Sequence, residues 1–277
     1  PMFVDSHCHL SFPELHAQIG HIRQAMAEAQ VDRALCICTT LEEAPQVMAL
    51  ATQYDNFWAT VGVHPDNEGV SEPEVEALAV LARAPRVVAV GETGLDYYRL
   101  GDRTLEQMEW QRQRFRVHIR AARQAQRPLV IHTRSAAQDT LRLLVEEGAQ
   151  AVGGVFHCFT ESAEVARAGL DLGFYISFSG ILSFKNAQDL RDVAAFVPLD
   201  RCLIETDSPY LAPVPFRGKT NSPAYVPYVA QALAQAKSLP VEEVAWATSR
   251  NFEALFLRPP VEPLSNATFA VNDENVV

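Results

Sequence analysis

Phe3-Val4-Asp5-Ser6-His7-Cys8-His9-Leu10 lies almost at the start of the chain, and its reading governs the rest. Alternate side chains of a β-strand share a face, so Asp5, His7 and His9 project together while Val4, Ser6 and Cys8 point the other way. Two imidazoles are thus aimed at one point, and neutral imidazole is the commonest protein ligand for zinc-like ions. An isolated His-x-His is more often an ordinary strand. The pair carries weight only if matching residues recur farther along.

They recur at regular intervals. Short apolar, β-branched runs predict eight strands, at 3–10, 33–39, 57–64, 87–96, 128–134, 154–159, 174–180 and 202–207. Between them, amphipathic segments predict helices at 14–30, 42–54, 73–84, 104–126, 136–147, 161–172 and 186–196. Strands that alternate with helices pair in parallel through crossovers, and eight such units close an α/β (β/α)8 TIM barrel. A doubly wound open sheet is the alternative fold. It normally carries a Gly-rich turn after its first strand, where this chain has Leu10-Ser11-Phe12-Pro13. A proline-rich, irregular stretch at 208–223 and helices at 224–237 and 241–256 follow. Residues 1–257 are read as a single barrel domain and 258–277 as a C-terminal coil tail.

Composition is consistent with that reading. With 277 residues, 48% of them hydrophobic and 21% charged, the chain can bury a large core. No apolar run approaches the roughly 20 residues that span a bilayer. Met2 runs straight into the first strand, so no leader peptide and no membrane association are expected. Cys8, Cys36, Cys38, Cys158 and Cys202 sit inside apolar, strand-like runs, which suits buried thiols and a cytoplasmic location better than disulfides. Cys36-x-Cys38 lacks a second cysteine pair and reads as core. Lys and Arg total 23 against 34 Asp and Glu, a net charge of −11 that argues against broad attraction to a polyanion. Bound divalent ions can still invert the charge of one pocket.

Barrel enzymes build their sites where strands end. Those ends carry His7, His9, His64, Glu92, His132, His157 and Asp207, whereas His16, His21 and His118 fall in helical stretches and read as surface or packing residues. A carboxylate at the mouth of the apolar strand Val87-Val88-Ala89-Val90-Gly91-Glu92 is costly unless a cation or donor meets it. The expected arrangement holds one ion between His7, His9, Glu92 and Asp207, with Glu92 bridging to a second ion on His132 and His157.

These segments carry a family resemblance. Val4-Asp5-Ser6-His7-Cys8-His9-Leu10, Gly62-Val63-His64-Pro65, Gly91-Glu92-Thr93-Gly94-Leu95-Asp96-Tyr97, Ile131-His132-Thr133-Arg134, His157-Cys158-Phe159 and Glu205-Thr206-Asp207-Ser208-Pro209-Tyr210 resemble the TatD family of metal-dependent hydrolases. So do Arg217-Gly218-Lys219-Thr220-Asn221-Ser222-Pro223 and Asn251-Phe252, and the likeness is collinear from about residue 3 to 257. It implies a barrel with a one- or two-metal site and, for the best-known members, magnesium-dependent deoxyribonuclease activity, including removal of nucleotides from single-stranded 3′ ends.

Elementary chemistry allows phosphodiester hydrolysis here. Two divalent ions outweigh the charges of Glu92 and Asp207, leaving a positive centre suited to phosphate, and metal ions lower the pKa of water towards about 7. Asp207 can orient that water and accept its proton, so Asp207 and Glu92 are the expected catalytic residues. Arg134 can grip a phosphate bidentately or form a rim salt bridge. His64 is assigned to substrate contact or proton donation, and Arg217 and Lys219 to positive charge beside the mouth. Glu205 and Asp5 are expected to support the ligands from beneath, and Tyr97 and Tyr98 to stack on bases or pack a lid.

Three other readings stay open. Small-molecule amidohydrolases often bridge their metals with a carboxylated lysine from strand four or five, but Lys185, Lys219 and Lys237 fall on neither. An esterase acting on D-aminoacyl-tRNA could use the same centre, and a non-catalytic metal-binding scaffold is the third. Mixed nitrogen and oxygen ligands accept zinc, manganese, nickel or iron, whereas magnesium prefers oxygens. Single-stranded DNA or another phosphodiester is the expected partner, and a monomer the expected state.

Overall fold

The structure, a computed structural model, describes residues 2–258; the expected coil tail lies outside the described residues from residue 259 onward. All eight expected strands are present: β1 (Phe3–Cys8), β2 (Val31–Cys36), β3 (Phe57–Val61), β4 (Val87–Asp96), β5 (Leu129–Arg134), β6 (Gly154–Phe156), β7 (Tyr175–Phe178) and β8 (Cys202–Ile204). They lie side by side in chain order and each pairs in parallel with the next, giving the (β/α)8 barrel. Two backbone hydrogen bonds bring the ends together: Asp207 N–H donates to His7 O at 2.8 Å and His9 N–H to Ser208 O at 2.9 Å. The seam of the barrel thus runs between two segments that carry site residues.

Helices α1 (Pro13–His16), α2 (Ile19–Glu28), α3 (Ala44–Gln53), α4 (Val75–Ala82), α5 (Glu109–Ala125), α6 (Ala137–Glu146), α7 (Ala163–Asp171), α8 (Gln188–Phe196), α9 (Val226–Lys237) and α10 (Val241–Phe256) surround the strands. The expected first helix is broken in two at Ala17 and Gln18, just before the weak helix former Gly20. Helix α5 shows why these segments coil and pack. Phe115, His118, Ile119 and Ala122 recur at helical spacing, so one stripe is buried while the arginines between them face outward or bridge to loops.

Two apolar layers result. One lies between strands and helices; the other fills the cylinder with Leu35, Ile37, Val88, Val130, Val155 and Leu203. Phe252 and Phe256 of α10 close that inner layer, and Phe252 is fully buried. Burial of such a ring contributes roughly 1.5–3 kcal/mol. Asn251 beside it donates to Leu199 O at 2.9 Å and Cys202 O at 2.8 Å, pinning α10 to the start of β8. Val130 and Val155 lie two residues before His132 and His157, so the packed layer is the floor on which the polar cluster stands.

Candidate metal centre

Glu92 follows a glycine at which both neighbouring strands close up: Gly62 lets the end of β3 approach Gly91, and Gly91 lets Val130 of β5 approach from the other side. A Cβ on Gly62 would lie 2.7 Å from the Gly91 carbonyl carbon. The β4–β5 ladder shifts register between Val90 and Thr93, and Glu92 N–H donates instead to Cys38 O at 3.0 Å. Farther along, Gly94 pairs with His132 at φ +136°, and a Cβ there would sit 1.9 Å from His132 O. Only glycine allows His132 to lie this close to β4.

Five imidazoles converge on the Glu92 carboxylate. On Oε1, His7 Nε2 lies at 3.2 Å and His9 Nε2 at 3.8 Å. On Oε2, His157 Nε2 lies at 2.8 Å, and His64 Nε2 and His132 Nδ1 each lie at 3.2 Å. Asp207 Oδ1 completes one side, 3.1 Å from His9 Nε2 and 3.4 Å from His7 Nε2. The rings of His7 and His157 stack at 3.8 Å, which directs both Nε2 atoms at Glu92. Asp207 stands in the left-handed region at φ +53°, a conformation that Asp tolerates better than most residues.

A further set of carboxylates orients the rings. Glu205 is 3.0 Å from His157 Nδ1 and also accepts Cys158 N–H at 2.7 Å, while Asp96 is 2.8 Å from His132 Nε2. Asp5 accepts Thr206 N–H at 3.0 Å and His7 N–H at 3.1 Å, tying β1 to β8 beneath the cluster. Asp5 and Glu205 therefore occupy the supporting positions expected of them.

Burial and charge act against each other in this pocket. Burial disfavours ionised Glu92, but the imidazoles of His157, His64 and His7 that face it outweigh burial and hold the carboxyl well below its usual range. Burial likewise opposes charge on His157, yet Glu92 and Glu205 push it well above the ordinary imidazole value. His7 is displaced downward by burial and by the neighbouring His157 charge. Asp5, buried below, is raised to about 7 by desolvation against the hydrogen bonds from Thr206.

A cavity of about 670 Å³ opens over the cluster and is lined by His9, His64, Glu92, His132, His157 and Asp207, together with rim residues. His64 is closer to the centre than its assignment to substrate contact implied: it meets the same Glu92 oxygen as His132. Arg134 lines the cavity and, instead of bridging a rim carboxylate, stacks its guanidinium 3.6 Å above the Tyr98 ring. Tyr98 is exposed, but Tyr97 is buried with its hydroxyl between Arg112 and Asp139, which removes it from any stacking role. Arg217 stacks on Phe184 at 3.7 Å; neither it nor Lys219 lines the cavity. Asp96, Phe12 and Arg99, to which the sequence alone assigns no role, also line it.

The donor set fits divalent ions. His7 Nε2 and Glu92 Oε1 are buried and have no hydrogen-bond partner, an arrangement that a cation between them would satisfy. His7, His9 and Glu92 form one group with ligand atoms within 4.8 Å of one another, as do His64, Glu92 and His132, and also His7, His157, Glu205 and Asp207. Ring nitrogens on one side and carboxylates behind the rings form the pattern of metal-bound histidine.

A nearly closed barrel with such a cluster at the strand ends suits a metal-dependent hydrolase. The family described as TatD related DNase matches residues 4–257, and the chain belongs to that family. It is 48% identical over 257 residues to the uncharacterized metal-dependent hydrolase YcfH of Escherichia coli K12, covering 91% of this chain and 95% of that protein. It is 33% identical to the 3′-5′ ssDNA/RNA exonuclease TatD of Salmonella typhimurium, covering 82% and 88%. The crystal structure of YJJV, a TatD homologue from Escherichia coli, superposes with a TM-score of 0.85 at 32% identity, over 93% of this chain and 98% of that one. No helix among the described residues is long and apolar enough to cross a membrane.

Proposed function

We propose that the protein hydrolyses phosphodiester bonds as a deoxyribonuclease that removes nucleotides from single-stranded 3′ ends, using two divalent ions. The observation that carries this reading is the convergence of five imidazoles and Asp207 around one buried carboxylate, Glu92. His7, His9, Glu92 and Asp207 would hold one ion; His132 and His157 would hold the other, with Glu92 shared and His64 beside it. Divalent ions there supply Lewis acidity towards a phosphate oxygen and make water acidic enough to attack near neutral pH.

The residues of the chain do the rest. Asp207, open to the cavity, orients the attacking water and accepts its proton. Glu205 and Asp96 fix the tautomers of His157 and His132 by occupying their outer nitrogens. Arg134, held flat by Tyr98, presents donors to a phosphate oxygen. None of the three lysines lines the cavity, which weighs against a centre built on a carboxylated lysine.

End-labelled single strands incubated with zinc, manganese, nickel or magnesium test the proposal. Stepwise shortening from the 3′ end is expected, and His132→Ala or Asp207→Asn should abolish it while preserving the thermal transition. Full turnover by either variant, or faster deacylation of D-aminoacyl-tRNA by the wild type, would remove the assignment.

A further inference from the structure

The two walls of the cavity differ in chemistry. On the β1 and β8 side stand Phe12 and Tyr210; on the β4 and β5 side stand Arg134 and Arg99, the latter 3.5 Å from Asp66, which also lines the cavity. Each aromatic residue follows a cluster residue by three positions and is locked to it by a backbone turn. Phe12 N–H donates to His9 O and Tyr210 N–H to Asp207 O, both at 3.0 Å. Buried Asn221 also donates to Tyr210 O at 2.7 Å, so the ring's attachment is fixed from two directions. The Phe12 ring lies over His9 at 4.6 Å, nearly parallel. Tyr210 meets both rings edgewise at 6.3 Å and is 53% exposed. An exposed tyrosine at the lip of a polar cavity, stacked on no other ring among the described residues, is an open platform for a flat apolar group.

We infer that Phe12 and Tyr210 form a binding site for the nucleobase of a strand's terminal nucleotide, with the remaining polymer leaving across Arg134 and Arg99. This rests on the nuclease reading above. A chain end presents one base on the terminal side of the bond to be cut and a repeating series of phosphates on the other. The first needs a ring to stack on and the second needs cations, in the order the two walls supply them. Stacking on a ring face is indifferent to which base is present, so the site senses that a base is there and does not read its sequence.

The test measures binding of the full chain, with manganese present, to a hexanucleotide bearing an internal fluorophore and cleavage-resistant phosphorothioate links. Its terminal nucleotide is intact or abasic, at the 3′ end or, separately, at the 5′ end. At one end, loss of the base should weaken wild-type binding about tenfold. Tyr210→Ala should weaken the intact strand by the same factor and leave the abasic strand unchanged, and Tyr210→Phe should bind like wild type. Arg134→Ala should weaken both strands equally. Tyr210→Ala affecting both strands alike, or neither, would overturn the site. The predicted binding pattern without cleavage of ordinary strands leaves the base site standing and sinks the nuclease reading. Cleavage without discrimination at the terminal base does the reverse, and failure to bind single strands removes both.

Discussion

His118 makes a sharp prediction about stability and pH. It is fully buried on α5, with Nδ1 2.7 Å from Arg114 O and Nε2 accepting the Val63 N–H at 2.9 Å. One nitrogen must donate and the other must accept, so the ring fits only when neutral. Burial, aided by the nearby Arg114 charge, lowers its pKa from 6.5 to about 4. The unfolded chain therefore binds more protons than the folded one between these values. The contribution is fully present above pH 6.5 and is lost as pH falls towards 4. A displacement of this size caps the loss at about 3 kcal/mol, of which about 2 kcal/mol is gone by pH 5. Urea unfolding of wild type and His118→Gln at pH 7, 6 and 5 measures it, because the remaining groups titrate in both proteins and cancel in the difference. Wild type should lose about 2 kcal/mol more than the variant between pH 7 and 5. A gap that stays constant across that range would show that His118 is not held neutral.

Gly94→Ala should abolish hydrolysis and destabilise the fold by about 2 kcal/mol or more, because the new Cβ must displace His132 O; activity and urea midpoints check both. Glu205→Gln should weaken metal binding about 10- to 100-fold by calorimetry while leaving the urea midpoint nearly unmoved. Asn221→Ala leaves the carbonyls of Thr206 and Tyr210 without a donor, a loss of about 1–3 kcal/mol that thermal unfolding should register.

Much of this was legible in the sequence, for a physical reason. Parallel barrel strands are buried on both faces, so each reads as a short apolar run, and all eight could be placed. Several strands are shorter than the apolar runs that predict them: β1, β3, β6 and β8 end at Cys8, Val61, Phe156 and Ile204. The overshoot contains His9, His64, His157 and Asp207, which sit just past the last paired residues, where backbone is free to turn a side chain inward. Their identity and their convergence were readable; that they stand beyond the paired strands was not. Nothing in the sequence shows that His64 meets Glu92, or that of the adjacent pair Tyr97 is buried and Tyr98 exposed. His118 reads as a surface or packing residue of a helix, and nothing in the sequence indicates that its two nitrogens bridge a helix and a loop. Phe12 and Tyr210 lie in proline-containing turns, where an aromatic residue looks like any other loop filler.

The seam between β1 and β8 has a consequence for how the protein is made. His7 and Asp207 are joined by a backbone hydrogen bond yet stand 200 positions apart in the chain. A ribosome still translating the seventh strand carries every histidine of the cluster but lacks the carboxylate and the edge that hold the first two in place. The cluster therefore cannot be complete before the eighth strand docks, and α9 and α10, the latter carrying Asn251 and Phe252, have still to follow it.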